Sequence, residues 1–75
     1  MEVWITGGAG FIGSALAVEL NKQNINDILI IDDLTNGEKF TNLKRFEFVN
    51  FLDIDDFINQ LDLNLLTKPK CIFHQ

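Results

Sequence analysis

At 75 residues, with 47% hydrophobic side chains, 23% charged, five glycines and one proline, the chain is sized for one small domain and is too apolar for a disordered segment. Eleven acidic residues against six basic ones leave a formal charge of -5, which repels nucleic-acid phosphates and anionic membranes and so excludes both as expected partners. A single cysteine, Cys71, rules out an internal disulfide and a cysteine-built zinc cage, fits a reducing compartment, and leaves no metal site to expect.

Val3-Trp4-Ile5 is a short apolar run that ends in Thr6 and a glycine cluster, the pattern of a strand entering a tight turn. It has no basic flank, the glycines interrupt the apolar stretch that follows, and no run approaches the length of a membrane span, so a cytoplasmic protein is expected. From Phe11 the period changes: Ile12, Leu16 and Leu20 recur at helical spacing, and the helix fades near Gln23 and Asn24. Ile28, Leu29, Ile30 and Ile31 are consecutive apolar residues between two aspartates, as in a parallel strand covered on both faces at the centre of a sheet.

The polar stretch 34–43 contains Asn36-Gly37, a turn signal, followed by one helical turn around Lys39 to Leu43. Phe46, Phe48 and Val49 are expected as a third strand. Ile54, Phe57, Ile58 and Leu61 then fall on one helical face, with Asp53 as N-cap and Asp55 and Asp56 near the positive end of the helix. After Lys68-Pro69-Lys70 comes a fourth strand at Cys71-Ile72-Phe73.

This order predicts an α/β fold: a Rossmann-type parallel sheet with helices on its faces, strand order 3-2-1-4, incomplete at its first four strands. Residues 1–75 are expected to be the N-terminal part of a dinucleotide-binding domain, with a substrate domain absent. The apolar fourth strand would otherwise be a bare edge, which argues for truncation.

Gly7, Gly10 and Gly13 carry the G-x-x-G-x-x-G spacing between strand and helix. Gly7 permits the tight turn, Gly10 lets a pyrophosphate approach the backbone, and Gly13 lets the helix pack closely on the sheet. Amides near Phe11 and Ile12 then meet phosphates at the positive helix end. Asp32, 19 positions after Gly13, stands where a carboxylate accepts hydrogen bonds from the adenosine ribose. Asp53 has two readings, a contact to the adenine edge or a plain helix cap.

Thr6-Gly7-Gly8-Ala9-Gly10-Phe11-Ile12-Gly13-Ser14 resembles the extended, nucleotide-sugar-modifying branch of the short-chain dehydrogenase/reductase superfamily. The run from Asp32 to Leu43, with Gly37, Lys39, Phe40 and Asn42, is similar to the D-N-L-x-x-G-x-K-F-x-N-L segment of ADP-glyceromanno-heptose 6-epimerases, and Ile72-Phe73-His74-Gln75 to their fourth strand. UDP-glucose 4-epimerases and dTDP-glucose dehydratases fit that run less well.

The resemblance implies a redox-neutral epimerase that inverts an ADP-heptose for lipopolysaccharide core synthesis through bound NADP, homo-oligomeric at full length. It also implies cofactor contacts from Phe11, Ile12, Asp32, Asp33, Lys39 and Gln75. Two positions depart from the pattern: Asp33 replaces an asparagine and Ile54 a lysine. A second carboxylate beside Asp32 would repel a 2'-phosphate, so NAD is the alternative to NADP.

The superfamily's proton-transfer pair is Tyr-x-x-x-Lys, and this chain has no tyrosine. No catalytic residue is therefore expected here. His74 is expected in a structural role near the crevice, Cys71 as a small core residue, and Trp4 and the phenylalanines as core or as cover for the absent remainder. The alternatives are a sister nucleotide-sugar epimerase or dehydratase, and a non-catalytic dinucleotide-binding or redox-sensing module.

Overall fold

The computed structural model describes residues 3–33 and 38–74, with 38–40 described by their backbone. In chain order the elements are β1 (Val3–Thr6), α1 (Phe11–Lys22), β2 (Ile28–Asp32), α2 (Glu38–Leu43), β3 (Asn50–Asp53), α3 (Ile54–Asp62) and β4 (Cys71–His74). The four strands form one parallel sheet in the order β3-β2-β1-β4. This is the expected Rossmann-like α/β arrangement, with the chain reversing direction across the sheet between β1 and β4. Among the described residues no helix is long and apolar enough to cross a membrane.

The unbroken apolar run of β2 is central: all five of its residues are buried. Alternation along the strands then divides the core by face. On one face Val3, Ile5, Ile28 and Ile30 pack with Ala17 and Phe46, flanked by Leu16, Leu20, Leu43 and Phe73. On the other, Trp4, Leu29, Ile31 and Leu52 meet Phe57 and Leu66, and Trp4 and Phe57 form an edge-to-face pair with ring centroids 5.3 Å apart.

Helix α1 presents its smallest side chains to the sheet. Gly13, Ser14 and Ala17 are its buried residues, while Ile12, expected on the apolar stripe, is exposed. Small side chains let the helix axis approach the strands, and Leu16 and Leu20 then fill the flanks. Both long helices end alike. Asn24 and Asn64 adopt left-handed backbone (φ 65° and 59°). Ile25 N–H donates to the Leu20 carbonyl and Leu65 N–H to the Gln60 carbonyl, each at 2.9 Å, completing a Schellman closure that satisfies the last helical carbonyls.

Besides Ile12, three expectations differ from the structure. The third strand is Asn50–Asp53, not Phe46, Phe48 and Val49. Phe46 is apolar because it fills the α1-side core with Phe48 against it, ring centroids 5.4 Å apart. Asn21 bonds both backbone groups of Glu47, accepting from its N–H at 2.6 Å and donating to its carbonyl at 3.1 Å, so a side-chain amide stands in for a strand partner. Strand pairing starts only after Val49 N–H reaches the Ile28 carbonyl.

Cys71 is exposed, not core, because among the described residues β4 is an edge strand paired with β1 alone. Helix α3 forms where its apolar period places it, but it buries no residue: Phe57 packs on Trp4, while Ile54, Ile58 and Leu61 remain exposed.

Candidate functional site

The carboxyl ends of β1, β2 and β4 converge on the turn at residues 7–10. Gly7 takes φ 73°, a left-handed conformation that side chains resist, and its N–H extends the β1–β2 ladder by donating to the Ile31 carbonyl at 2.7 Å. The chain then folds back sharply: Gly10 N–H donates to the Gly7 carbonyl at 3.1 Å, and Ser14 N–H to the Gly10 carbonyl at 2.9 Å, which opens α1.

Gly13 is required by close approach. A Cβ there would collide with the Gly7 carbonyl oxygen and lie 2.8 Å from the Gly8 Cα, both backbone atoms that cannot step aside. The expected packing role of Gly13 is therefore visible, with the turn itself as the surface the helix packs on.

At Gly10 a Cβ would lie 3.3 Å from the Gly7 carbonyl oxygen, a tight contact, with no other atom of the described residues within 4 Å, so this residue is less crowded than Gly8 or Gly13. Gly10 is also the N-cap of α1, with no side-chain cap, and the first turn carries no acidic residue. The positive helix end is thus left without a negative partner from its own sequence. Phe11 and Ile12 stand beside it, 77% and 68% exposed, with their amides in the first turn. This donor set suits an anion of diphosphate size approaching over Gly10.

Asp32 ends β2 and is 5% exposed. One carboxylate oxygen accepts from Ala9 N–H at 3.1 Å and the other from Asp33 N–H at 2.7 Å. The residue expected to meet a ribose therefore also ties the glycine turn to the end of β2.

Asp53 ends β3 opposite Asp32 in the register. Its side chain accepts from Asp55 N–H at 3.2 Å, so it does cap α3. His74, opposite Thr6, has Nδ1 2.6 Å from the Thr6 hydroxyl, which ties β4 to β1 and supports the structural reading. Lys39 lies on α2, but its side chain is outside the described residues, as are residues 34–37 and Gln75.

Two residues of this site have no counterpart among the candidates read from the sequence. Gly8 is buried, and a Cβ there would lie 2.7 Å from Ile30 Cδ1 and 3.2 Å from the Ile5 carbonyl. Asn42 donates from Nδ2 to the Ala9 carbonyl at 2.9 Å, linking α2 to the turn. Gly8 lies between the glycines of the recognised spacing, and a long-range amide bond leaves no periodic trace.

A comparison with known protein families matches residues 3–75 to the model of the NAD dependent epimerase/dehydratase family. The match takes in the glycine turn, all four strands and Asp32.

Proposed function

The chain belongs to the NAD-dependent epimerase/dehydratase family, and from that premise we propose that it is the cofactor-binding portion of an ADP-heptose 6-epimerase working through NADP. A nicotinamide dinucleotide cofactor follows from the family. The narrower substrate assignment is supported by the resemblance of the Asp32 to Leu43 run to the heptose-epimerase pattern. The observation that carries cofactor binding is the turn itself: backbone packed too tightly for side chains at Gly8 and Gly13, less crowded at Gly10, and leading into a helix end with no side-chain cap.

In this reading the amides of Phe11 and Ile12 hold the pyrophosphate, and Asp32 accepts from the adenosine ribose while holding Ala9. By the resemblance Asp33, Lys39 and Gln75 also contact the cofactor, and Asp53 borders the adenine. When bound, the nicotinamide supplies the hydride acceptor and donor that a redox-neutral epimerisation needs. This chain's residues bind and orient; with no tyrosine, it offers no Tyr-Lys pair for proton transfer.

Calorimetric titration of the chain with NADP, NAD and ADP tests the binding reading. All three should bind, NADP most tightly, and Asp33→Asn should raise NADP affinity relative to NAD by removing a carboxylate from beside the 2'-phosphate. Failure of all three to bind would end the reading. Turnover of ADP-glyceromanno-heptose against UDP-glucose and dTDP-glucose by the full-length protein tests the substrate; preference for either of the latter would move it to the corresponding sister enzyme.

A further inference from the structure

We propose that Asn42 is a positioning residue for the pyrophosphate turn, fixing the peptide between Ala9 and Gly10 so that the helix-start amides keep the direction a diphosphate requires. The inference rests on the dinucleotide-binding reading and deepens it.

The peptide joining Ala9 to Gly10 is held at both ends. Its carbonyl accepts from Asn42 Nδ2 at 2.9 Å, and its N–H donates to the Gly7 carbonyl at 3.1 Å. The preceding peptide is held through Ala9 N–H on Asp32 Oδ2 at 3.1 Å. Ala9 itself is fully buried. Two side chains from distant parts of the chain thus grip one residue of the turn from opposite sides.

The grip matters because of Gly10. Glycine has little preference of its own between backbone wells, so the plane between Ala9 and Gly10 can rotate unless something outside the turn restrains it. Rotation would break the Gly10–Gly7 bond and re-aim the amides that follow, those of Phe11 and Ile12. Asn42 supplies the restraint from α2, a six-residue helix too short to persist alone and anchored through Leu43 in the α1-side core. Because α2 also carries Lys39, the same bond fixes the spacing between the diphosphate turn and a segment proposed to contact the cofactor.

The test compares Asn42→Ala, Asn42→Asp and Asn42→Gln with Asn21→Ala. Asn21 likewise bridges backbone groups with its amide but lies away from the turn, so it serves as a purely structural control. Affinities for NADP, ADP and AMP are measured by calorimetry on the full chain well below the lowest Tm, and Tm is recorded for each variant. Asn42→Ala should weaken NADP and ADP by roughly three- to tenfold, the worth of one hydrogen bond, while AMP, which lacks the diphosphate, changes little.

Asn42→Asp should weaken them further, since a carboxylate has no proton to give the Ala9 carbonyl, and Asn42→Gln, which keeps the donor, should recover part of the loss. Asn21→Ala should lower Tm alone. Should Asn42→Asp fail to fold, the Ala and Gln variants carry the same comparison. Unchanged ADP affinity in Asn42→Ala, or equal losses for AMP and ADP, would overturn the positioning role. A wild-type chain that binds none of the ligands would instead overturn the dinucleotide reading, and this inference with it.

Discussion

Residues 3–32 and residues 50–74 follow the same plan of strand, helix and strand, and both helices end in a Schellman closure with asparagine in left-handed backbone. Their packing differs sharply. In the first unit both strands are buried and α1 rests on the sheet through Gly13, Ser14 and Ala17; in the second, α3 buries nothing and β4 is mostly exposed. The small residues of α1 permit backbone-to-backbone approach, whereas α3 touches the sheet mainly through one ring, Phe57 on Trp4. A site that binds with backbone amides needs its backbone held rigidly, and the candidate site lies on the unit where that condition is met.

The largest expected effect tests the contrast directly. Ile30→Ala, in fully buried β2, should cost about 2–5 kcal/mol in urea unfolding, against roughly 0.5 kcal/mol for Ile72→Ala on the 57% exposed edge. Equal losses would erase the distinction between the units.

Next comes the turn. Gly13→Ala forces a methyl against the Gly7 carbonyl and should cost about 1–3 kcal/mol and abolish dinucleotide binding, while Gly10→Ala should cost less stability because, among the described residues, one contact tightens and only to 3.3 Å. If calorimetry found Gly13→Ala still binding NADP normally, close packing at the helix start would not be what shapes the site.

In the second unit, Asp53→Ala should cost about 1 kcal/mol through loss of the α3 cap, and Asp53→Asn, which keeps an acceptor oxygen, should unfold at nearly the wild-type urea concentration. A fall in NADP affinity in Asp53→Asn, with stability intact, would favour the adenine-edge role over capping alone. The smallest effect sharpens the likeness between units: Asn24→Gly and Asn64→Gly should each raise stability by roughly 0.5 kcal/mol, because glycine adopts left-handed backbone without strain. A gain at one helix end only would show that the two closures are not equivalent.

Much of this was legible in the chain. The uninterrupted apolar residues of β2 announced a strand buried on both faces, and the glycine spacing announced a turn between β1 and α1, because backbone requirements of that kind are written directly as residue type. The sequence misplaces the third strand because Phe46 and Phe48 have strand-like apolarity but serve the core ahead of the strand, while β3 itself begins at Asn50 and ends at Asp53, two polar residues. Cys71 has a core-like composition around it, yet its burial depends on what lies beside β4.

The order of elements, the parallel sheet and the acidic residue behind the glycine turn were determined by the sequence alone, since periodicity and glycine placement act over a few residues. Tertiary structure alone decided that Asp32 and Asn42, 23 and 33 positions beyond Ala9, close on that one residue from both sides. Hydrogen bonds between segments so far apart form only when the sheet has brought their ends together, and no local pattern records them.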